Sequence, residues 1–414
     1  MREVDMDART LAWIGVLIGS LVGGASAVAV LAVPRRLEPA AMLAGLIGSA
    51  GAGIAFVRLS AMYARPDAAL WGLAILLAAL GGGWALAASL LEGLGRTSVS
   101  PAPPEPGAPS DGVAVIIVAC VEPATYSPSD TAVAIRDLTD DELLETSLGT
   151  LPFFFFAQKA RYRAVGGMSP ALSELSALAE SLEPGLADLG VKWVTWARCS
   201  GEHSLAHRVA EAIRTGFGRI VVVQLAVAES LYLAAAKRDV DALRLHEHGV
   251  DVAYTDDLGG SERLAAMEAD RIMELTRSEP SGAGVVLVGH AQPEERSRRN
   301  PVFDEQETSF LNRVRMLLVE RGLAEAHVRL AWSEWREPDV TSAVRHLAAL
   351  GCNRVIIAPV TFPLDTLGTR LDLELSVRQA RVAEGVSAIT MPAWKEHPAL
   401  TAELRERVRK ALTD

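Results

Sequence analysis

The chain has 414 residues, room for two or three domains at about 100–200 residues each. Hydrophobic residues make up 50%, charged residues 22%, and mean hydropathy is +0.22. That excludes a disordered chain, and the charge excludes a purely membrane-embedded bundle. A net charge of −11 argues against nucleic-acid binding, which needs a basic surface.

The apolar excess lies at the N-terminus. Residues 11–33, 40–57 and 68–91 carry no charge, and each approaches the ~20 apolar residues that cross a bilayer as helix. They predict an all-α anchor over residues 1–97 that contacts membrane lipid. The first stretch is too long for a signal-peptide core, and two more follow. Gly15, Gly19 and Gly23 repeat every four residues, as do Gly45, Ser49 and Gly53. Small residues at that spacing let helices approach closely in lipid. No ionisable residue lies inside a span, so the bundle reads as an anchor rather than a transport path. Arg2, Arg9, Arg58 and Arg65 would share one side, Arg35, Arg36 and Arg96 the other. This near tie does not fix orientation by the positive-inside rule. The soluble part is expected on the cytoplasmic side of the cell membrane.

Residues 98–112 (SVSPAPPEPGAPSDG) are proline-dense, which favours an extended, semi-rigid linker. Beyond it, short Val- and Ile-rich runs at 113–118, 193–196, 220–223, 285–288, 328–332 and 355–357 read as buried parallel strands. Amphipathic helices are predicted between them at 204–215, 308–322 and 340–350. The alternation implies right-handed βαβ units and a doubly wound α/β fold. An internal repeat divides it. GVAVIIVACVEP (112–123) matches GAGVVLVGHAQP (282–293). WARCSGEHSLAHRVAEAIRTGFGRIVVV (196–223) parallels WSEWREPDVTSAVRHLAALGCNRVIIA (332–358). Two similar lobes are therefore expected, at 113–280 and 281–414, meeting near SEPSGAG (278–284) with a cleft between them.

The three cysteines, Cys120, Cys199 and Cys352, form no Cys-x-x-Cys pair. Their separation argues against a disulfide scaffold, a zinc ribbon and a cysteine-ligated iron–sulfur cluster.

His290 follows VVLVG directly, at the predicted carboxyl end of a strand, where such sheets bind ligands. It suits proton transfer or metal binding; a buried strand-end cap is the alternative. The repeat places Cys120 at the equivalent point of the first lobe. TFPLDTLGTRLDLE (361–374) follows another strand. Asp365 and Asp372 lie seven apart and share a face if a helix runs through. They and Glu374 form a carboxylate row, although Asp365 would also serve as a helix cap. His203 and His207 stand at i,i+4 beside Glu202 but lack a third ligand; a solvated face is the plainer reading. His246 and His248 lie in a polar loop. Trp332 and Trp335 could line a flat apolar pocket, with core packing the alternative for Trp332. The run LPFFFF (151–156) cannot face one helix side throughout, so part of it should meet a ligand, the bilayer or a partner if it is not buried.

Taken together, these motifs resemble the chelatase superfamily, and ferrochelatase in particular, across residues 112–414. ARYRAVGGMSPALSE (160–174) is similar to the family stretch where a tyrosine, a glycine pair and Ser-Pro precede a helix; it implies tetrapyrrole contacts at Tyr162, Gly167, Ser169 and Pro170, with Trp332 beside them. Gly289–Pro293 (GHAQP) resembles the family's Ala-His-x-x-Pro, whose histidine faces the porphyrin. Asn300-Pro301 stands where the family has Asp-Pro. FPLDTLGT (362–369) resembles Phe-x-x-Asp-His-x-Glu-Thr. VGHA and WSEWREPD (332–339) are also similar to sirohydrochlorin chelatases. The resemblance implies insertion of a divalent metal into a tetrapyrrole. Fe(II) would be substrate, with other divalent metals open, and no cofactor tightly bound. His290, Asp372 and Glu374 would act on the reacting centre, and His290, Asp365 and Asp372 would guide metal. One departure stands out: the family's catalytic glutamate aligns with Gly368, and its neighbouring histidine with Thr366. Three alternatives follow. They are a tetrapyrrole- or metal-binding protein without turnover, a sirohydrochlorin cobalt or iron chelatase, and an outward-facing metal-binding receptor. The sequence leaves the oligomeric state open.

Overall fold

A computed structural model of the chain describes residues 2–63, 66–94, 107–108, 110–140, 143–276 and 282–413. Most of the proline-rich linker, part of the inter-lobe boundary, and Arg65 and Arg96 lie outside the described residues. The chain divides into two compact units, Met1–Ser98 with Tyr126–Ala160, and Val99–Thr125 with Arg161–Asp414.

The first unit is helical. Its helices α1 (Arg2–Ala32), α2 (Glu38–Tyr63) and α3 (Pro66–Leu94) contain three stretches long and apolar enough to cross a membrane, Ala8–Ala32, Arg35–Tyr63 and Leu70–Leu94. The glycines set how closely they pack. A Cβ on Gly19 would lie 2.5 Å from the Gly48 carbonyl oxygen, and one on Gly23 2.6 Å from Ser49 Oγ. Gly24 and Gly83 allow the same approach between α1 and α3. The stripe on α2 differs in one place: Gly48 makes the contact, while Gly53 faces open space. Outward-facing Leu46, Ile47, Val57, Leu70 and Trp71 are exposed.

Residues 126–160, which the repeat pattern assigns to the first lobe, belong instead with this bundle. Here α4 (Pro128–Asp140) and the start of α5 (Leu151–Ala164) bury Ala132, Ile135, Leu151 and Phe155 against Val28, Leu31, Ala87 and Leu91. Lys159 is buried, bonded to the Val30 carbonyl at 2.5 Å and paired with Glu38 at 2.9 Å. An unpaired charge could not remain there. The phenylalanine run divides accordingly: Phe155 is core, whereas Phe153 and Phe156 are exposed.

The second unit holds both α/β lobes. Strands β1 (Ser110–Ala119), β2 (Val191–Arg198), β3 (Phe217–Gln224) and β4 (Asp251–Tyr254) form a parallel sheet in the order β2-β1-β3-β4. Strands β5 (Ala283–Gly289), β6 (Val328–Trp332), β7 (Arg354–Pro359) and β8 (Ser387–Thr390) repeat it as β6-β5-β7-β8. The central strands are buried on both faces, which explains their unbroken Val and Ile.

Helices α7 (Leu205–Arg214) and α8 (Leu231–Asp241) cover the outer face of the first sheet. Helices α12 (Val340–Ala349) and α13 (Leu373–Ala380) cover that of the second. Between the sheets, α6 (Ala171–Leu182), α9 (Glu262–Thr276), α11 (Pro301–Glu320) and α14 (Pro398–Thr413) share one apolar core with both. The short α10 (Glu294–Arg299) lies between β5 and α11 in the chain. The lobes are therefore one folding unit, joined through that shared core. Cys120 and Cys199 are linked by a disulfide with Cα atoms 4.8 Å apart, and Cys352 is free and buried. A cross-link is thus present even though the spacing did not announce one.

Candidate active site

In a sheet ordered β6-β5-β7-β8, the chain leaves the ends of β5 and β7 in opposite directions and opens a crevice there. His290 and Thr361 occupy those two ends. Gly289 makes the approach possible: a Cβ there would lie 2.8 Å from Leu311, 2.9 Å from Trp332 and 3.1 Å from Glu307. The His290 backbone N–H donates to Glu307 Oε2 at 3.0 Å and to Thr361 Oγ1 at 3.1 Å. Its ring stacks on Phe362 with centroids 3.8 Å apart. Removal from water pushes the imidazole down to about 4, so near neutral pH it is uncharged and keeps a lone pair. That favours guiding a metal ion over storing a proton.

Glu307, which sequence reasoning missed, is buried, and burial pushes its carboxyl up to about 8. Only its register on α11 could have pointed to it. A second group also escaped notice. Arg161 pairs with Asp372, and both act electrostatically on Glu334. Glu122 acts on Asp372 in turn. Burial raises the carboxyls of Asp372 and Glu334 above the ordinary range, with Arg161 opposing. These three carboxylates come from the loop after β1, the loop after β6 and the π-helical turn Gly368–Asp372.

Glu122 also joins the lobes. Its Oε1 accepts from the Leu367 N–H at 2.7 Å and from Ser169 Oγ. Glu174 on α6 accepts from the Asp365 N–H at 2.7 Å.

Several residues assigned from the sequence have structural partners within the fold. Tyr162 is buried, and its hydroxyl donates to the Pro123 carbonyl at 2.6 Å. Ser169 is buried against Glu122. Gly167 takes a left-handed φ of 94° and closes the turn after α5 by donating to the Tyr162 carbonyl at 2.7 Å. Trp332 is buried beneath Arg336, whose guanidinium lies 4.5 Å from its ring centroid. Asp365 is buried and neutralised by Lys395 at 3.0 Å, with Oδ1 accepting from the Ala393 N–H.

Asp365 and Glu374 line a different space. This cavity of about 610 Å³ is bordered by Pro170, Glu174, Arg370, Arg378 and Lys395, and His290 is not among its lining residues. Among the described residues, no three His, Cys, Asp or Glu side chains are placed to hold a metal. The expected set His290, Asp365 and Asp372 is therefore not assembled as a chelating site. His203 and His207 are exposed, and His207 Nδ1 meets Ser204 Oγ at 2.7 Å. The side chains of His246 and His248 lie outside the described residues.

Gly368 lies in the π-helical turn with a φ outside the left-handed region, and a Cβ there would meet Thr366 Oγ1 at 3.3 Å and Asp372 Oδ2 at 3.9 Å. A side chain there would require Thr366 Oγ1 to shift by a few tenths of an ångström, and its Cβ would lie beside Asp372.

Two duplicated parallel-sheet lobes with a histidine at the carboxyl end of the second lobe's central strand define a chelatase-type protein. The ferrochelatase family model matches residues 147–412, and the chain belongs to the ferrochelatase family. It is 22% identical over 270 residues to the coproporphyrin III ferrochelatase of Leifsonia xyli subsp. xyli, covering 57% of this chain and 69% of the relative. It is 21% identical over 267 residues to a ferrochelatase of Cyanothece sp., covering 61% and 68%. Among solved structures, it is similar to SirB from Bacillus subtilis with Fe3+, at a TM-score of 0.45 and 18% identity, over 73% of this chain and 96% of that one.

Proposed function

We propose that the protein is a membrane-anchored tetrapyrrole chelatase that inserts Fe(II) into a porphyrin. The observation that carries this reading is His290 at the β5–β7 crevice, its backbone N–H held by Glu307 and Thr361, within a fold of the ferrochelatase family. Relatives named for coproporphyrin III support a porphyrin substrate. His290 offers its lone pair to the incoming metal. As the metal enters, two pyrrole protons must leave, and Glu122 and Glu334 in the loops after β1 and β6, with Asp372 in the π-helical turn, are the carboxylates available to take them. The raised proton affinity of Asp372 and Glu334 suits that role. Fe(II) is substrate and leaves with the product, so a site without three fixed ligands is chemically sensible. The apolar outer faces of α1–α3 support anchoring in lipid.

The test is metal insertion by the full-length protein in detergent, with Fe(II) or Co(II) offered to coproporphyrin III, protoporphyrin IX and sirohydrochlorin, followed by absorbance. Insertion no faster than in protein-free solution would reject the enzyme. One observation favours a second reading, binding without turnover: Gly368 leaves the family's glutamate position without a side chain. Tight porphyrin binding with no insertion would support it.

A further inference from the structure

We infer that Cys120 and Cys199 form a permanent structural disulfide, and that the α/β unit therefore lies on the oxidising face of the membrane. The inference rests on reading α1–α3 as membrane spans.

The positions are built for pairing. Ala119 and Arg198 are the last matched residues of the β1–β2 ladder, and the two cysteines follow immediately, with Cα atoms 4.8 Å apart. That separation is within the range a disulfide spans without moving the backbone. Cys120 is exposed, Cys199 is only 7% exposed, and Cys352 is buried elsewhere in the second lobe's core. An external disulfide donor therefore meets Cys120 first. The Cys120 thiolate attacks the donor's disulfide and releases one donor thiol. The Cys199 thiolate then attacks Cys120 Sγ and releases the second. One protein S–S bond forms, the donor's S–S bond is reduced to two thiols, and the two protons end on the donor.

The cross-link has a structural reason. It spans a sequence separation of 79 residues, and within that interval the chain leaves the first lobe to build residues 126–160 into the helical unit. The disulfide keeps central strand β1 and edge strand β2 together across that excursion. A bond of this kind persists in compartments that oxidise thiols and is rare where glutathione and thioredoxin keep them reduced. Three spans place the N-terminus opposite the α/β unit, so the N-terminus would face the cytoplasm. Four arginines (Arg2, Arg9, Arg58 and Arg65) would then be inside and three (Arg35, Arg36 and Arg96) outside, a near tie that does not oppose this placement. It runs against the cytoplasmic placement expected from the sequence, and the test decides between them.

The test uses the full-length chain in bacterial cells. Cells are quenched in acid, and free thiols are blocked under denaturing conditions with N-ethylmaleimide. The protein is then reduced and treated with a polyethylene-glycol maleimide. Two added masses after reduction, and none without it, are expected. No added mass after reduction would overturn the disulfide. For sidedness, Glu384→Cys is placed in a C120S/C199S background and treated in sealed spheroplasts with a membrane-impermeant maleimide, with the C120S/C199S parent as control. Labelling from outside is expected. Labelling only after lysis would overturn the placement. Extraction of the protein by carbonate would overturn the anchor and the placement together, while the thiol count would still report on the pair.

Discussion

The two lobes share a topology and differ at the residue after the central strand. In the first lobe that residue is Cys120, bonded to its neighbour Cys199. In the second it is His290, beside Ser333, which donates its backbone N–H to the Gly289 carbonyl at 3.0 Å. One strand end is closed covalently; the other is left open with an uncharged imidazole. The repeated topology sets where the strand ends lie, and single side chains then close one with a disulfide and place an imidazole at the other. The first lobe still reaches the second, because Glu122 accepts from the Leu367 N–H at the entrance to the π-helical turn.

The comparison would break most sharply at His290. His290→Ala should sharply lower metal insertion, because the lone pair that guides the metal is lost. Porphyrin binding and the fold should be retained, because the half-buried ring sits at a strand end and covers one face of Phe362. Stopped-flow absorbance measures it. An unchanged rate would remove His290 from the reaction. Gly289→Ala should fail differently, by unfolding or loss of expression, since its methyl would press on Leu311 and Trp332.

Next in size is the carboxylate question. Asp372→Asn should slow insertion, toward the lower end of the ~10²–10⁴ range for proton-transfer groups, because Glu334 and Glu122 remain. Gly368→Glu should restore part of the loss, since its Cβ would point beside Asp372. If Asp372→Asn has the wild-type rate and Gly368→Glu gains nothing, the protons leave by another route.

Much of this was readable from the sequence. The central strands were legible because burial on both faces demands unbroken apolar runs; the edge strands β4 (DVAY) and β8 (SAIT) were not, being short and half-exposed. His290 was legible because a glycine and a strand end mark it. Glu307 was hidden, since nothing in QETSF separates a buried glutamate from a solvated one. Asp365 was misleading for the opposite reason: its spacing from Asp372 fits a shared face, but Lys395, distant in sequence, neutralises it. The placement of residues 126–160 with the bundle depends on long-range contacts such as Lys159 with Glu38, which local pattern does not carry.

The disulfide sharpens the comparison through stability. Reduction of the intact protein should cost about 2–4 kcal/mol and lower the melting temperature by several degrees, while Cys352→Ala should leave the redox dependence intact. Thermal melts with and without dithiothreitol measure this. No redox dependence would mean that the β1–β2 ladder needs no covalent support.

The smallest effect is expected from Glu307, and its sign follows from burial. In the fold its carboxyl is pushed up to about 8, whereas an unfolded glutamate titrates near 4.5. Between those values the folded state holds a proton that the unfolded state has released. The stabilisation is therefore fully present below the lower value and is lost as pH rises through the upper one. Glu268, pushed up to about 7, acts in the same direction in wild type and variant alike. His290 acts oppositely, but between about 4 and 6.5, and so contributes little above pH 7. Glu307→Gln keeps an acceptor for the His290 N–H and cannot ionise. Its melting temperature should match wild type near pH 4, exceed it increasingly as pH rises from about 4.5 to about 8, and stay a few degrees higher at pH 9, where wild type must carry a buried charge. Parallel pH profiles for the two proteins would show that Glu307 is already ionised, and that the floor of the His290 site is wetter than its burial implies.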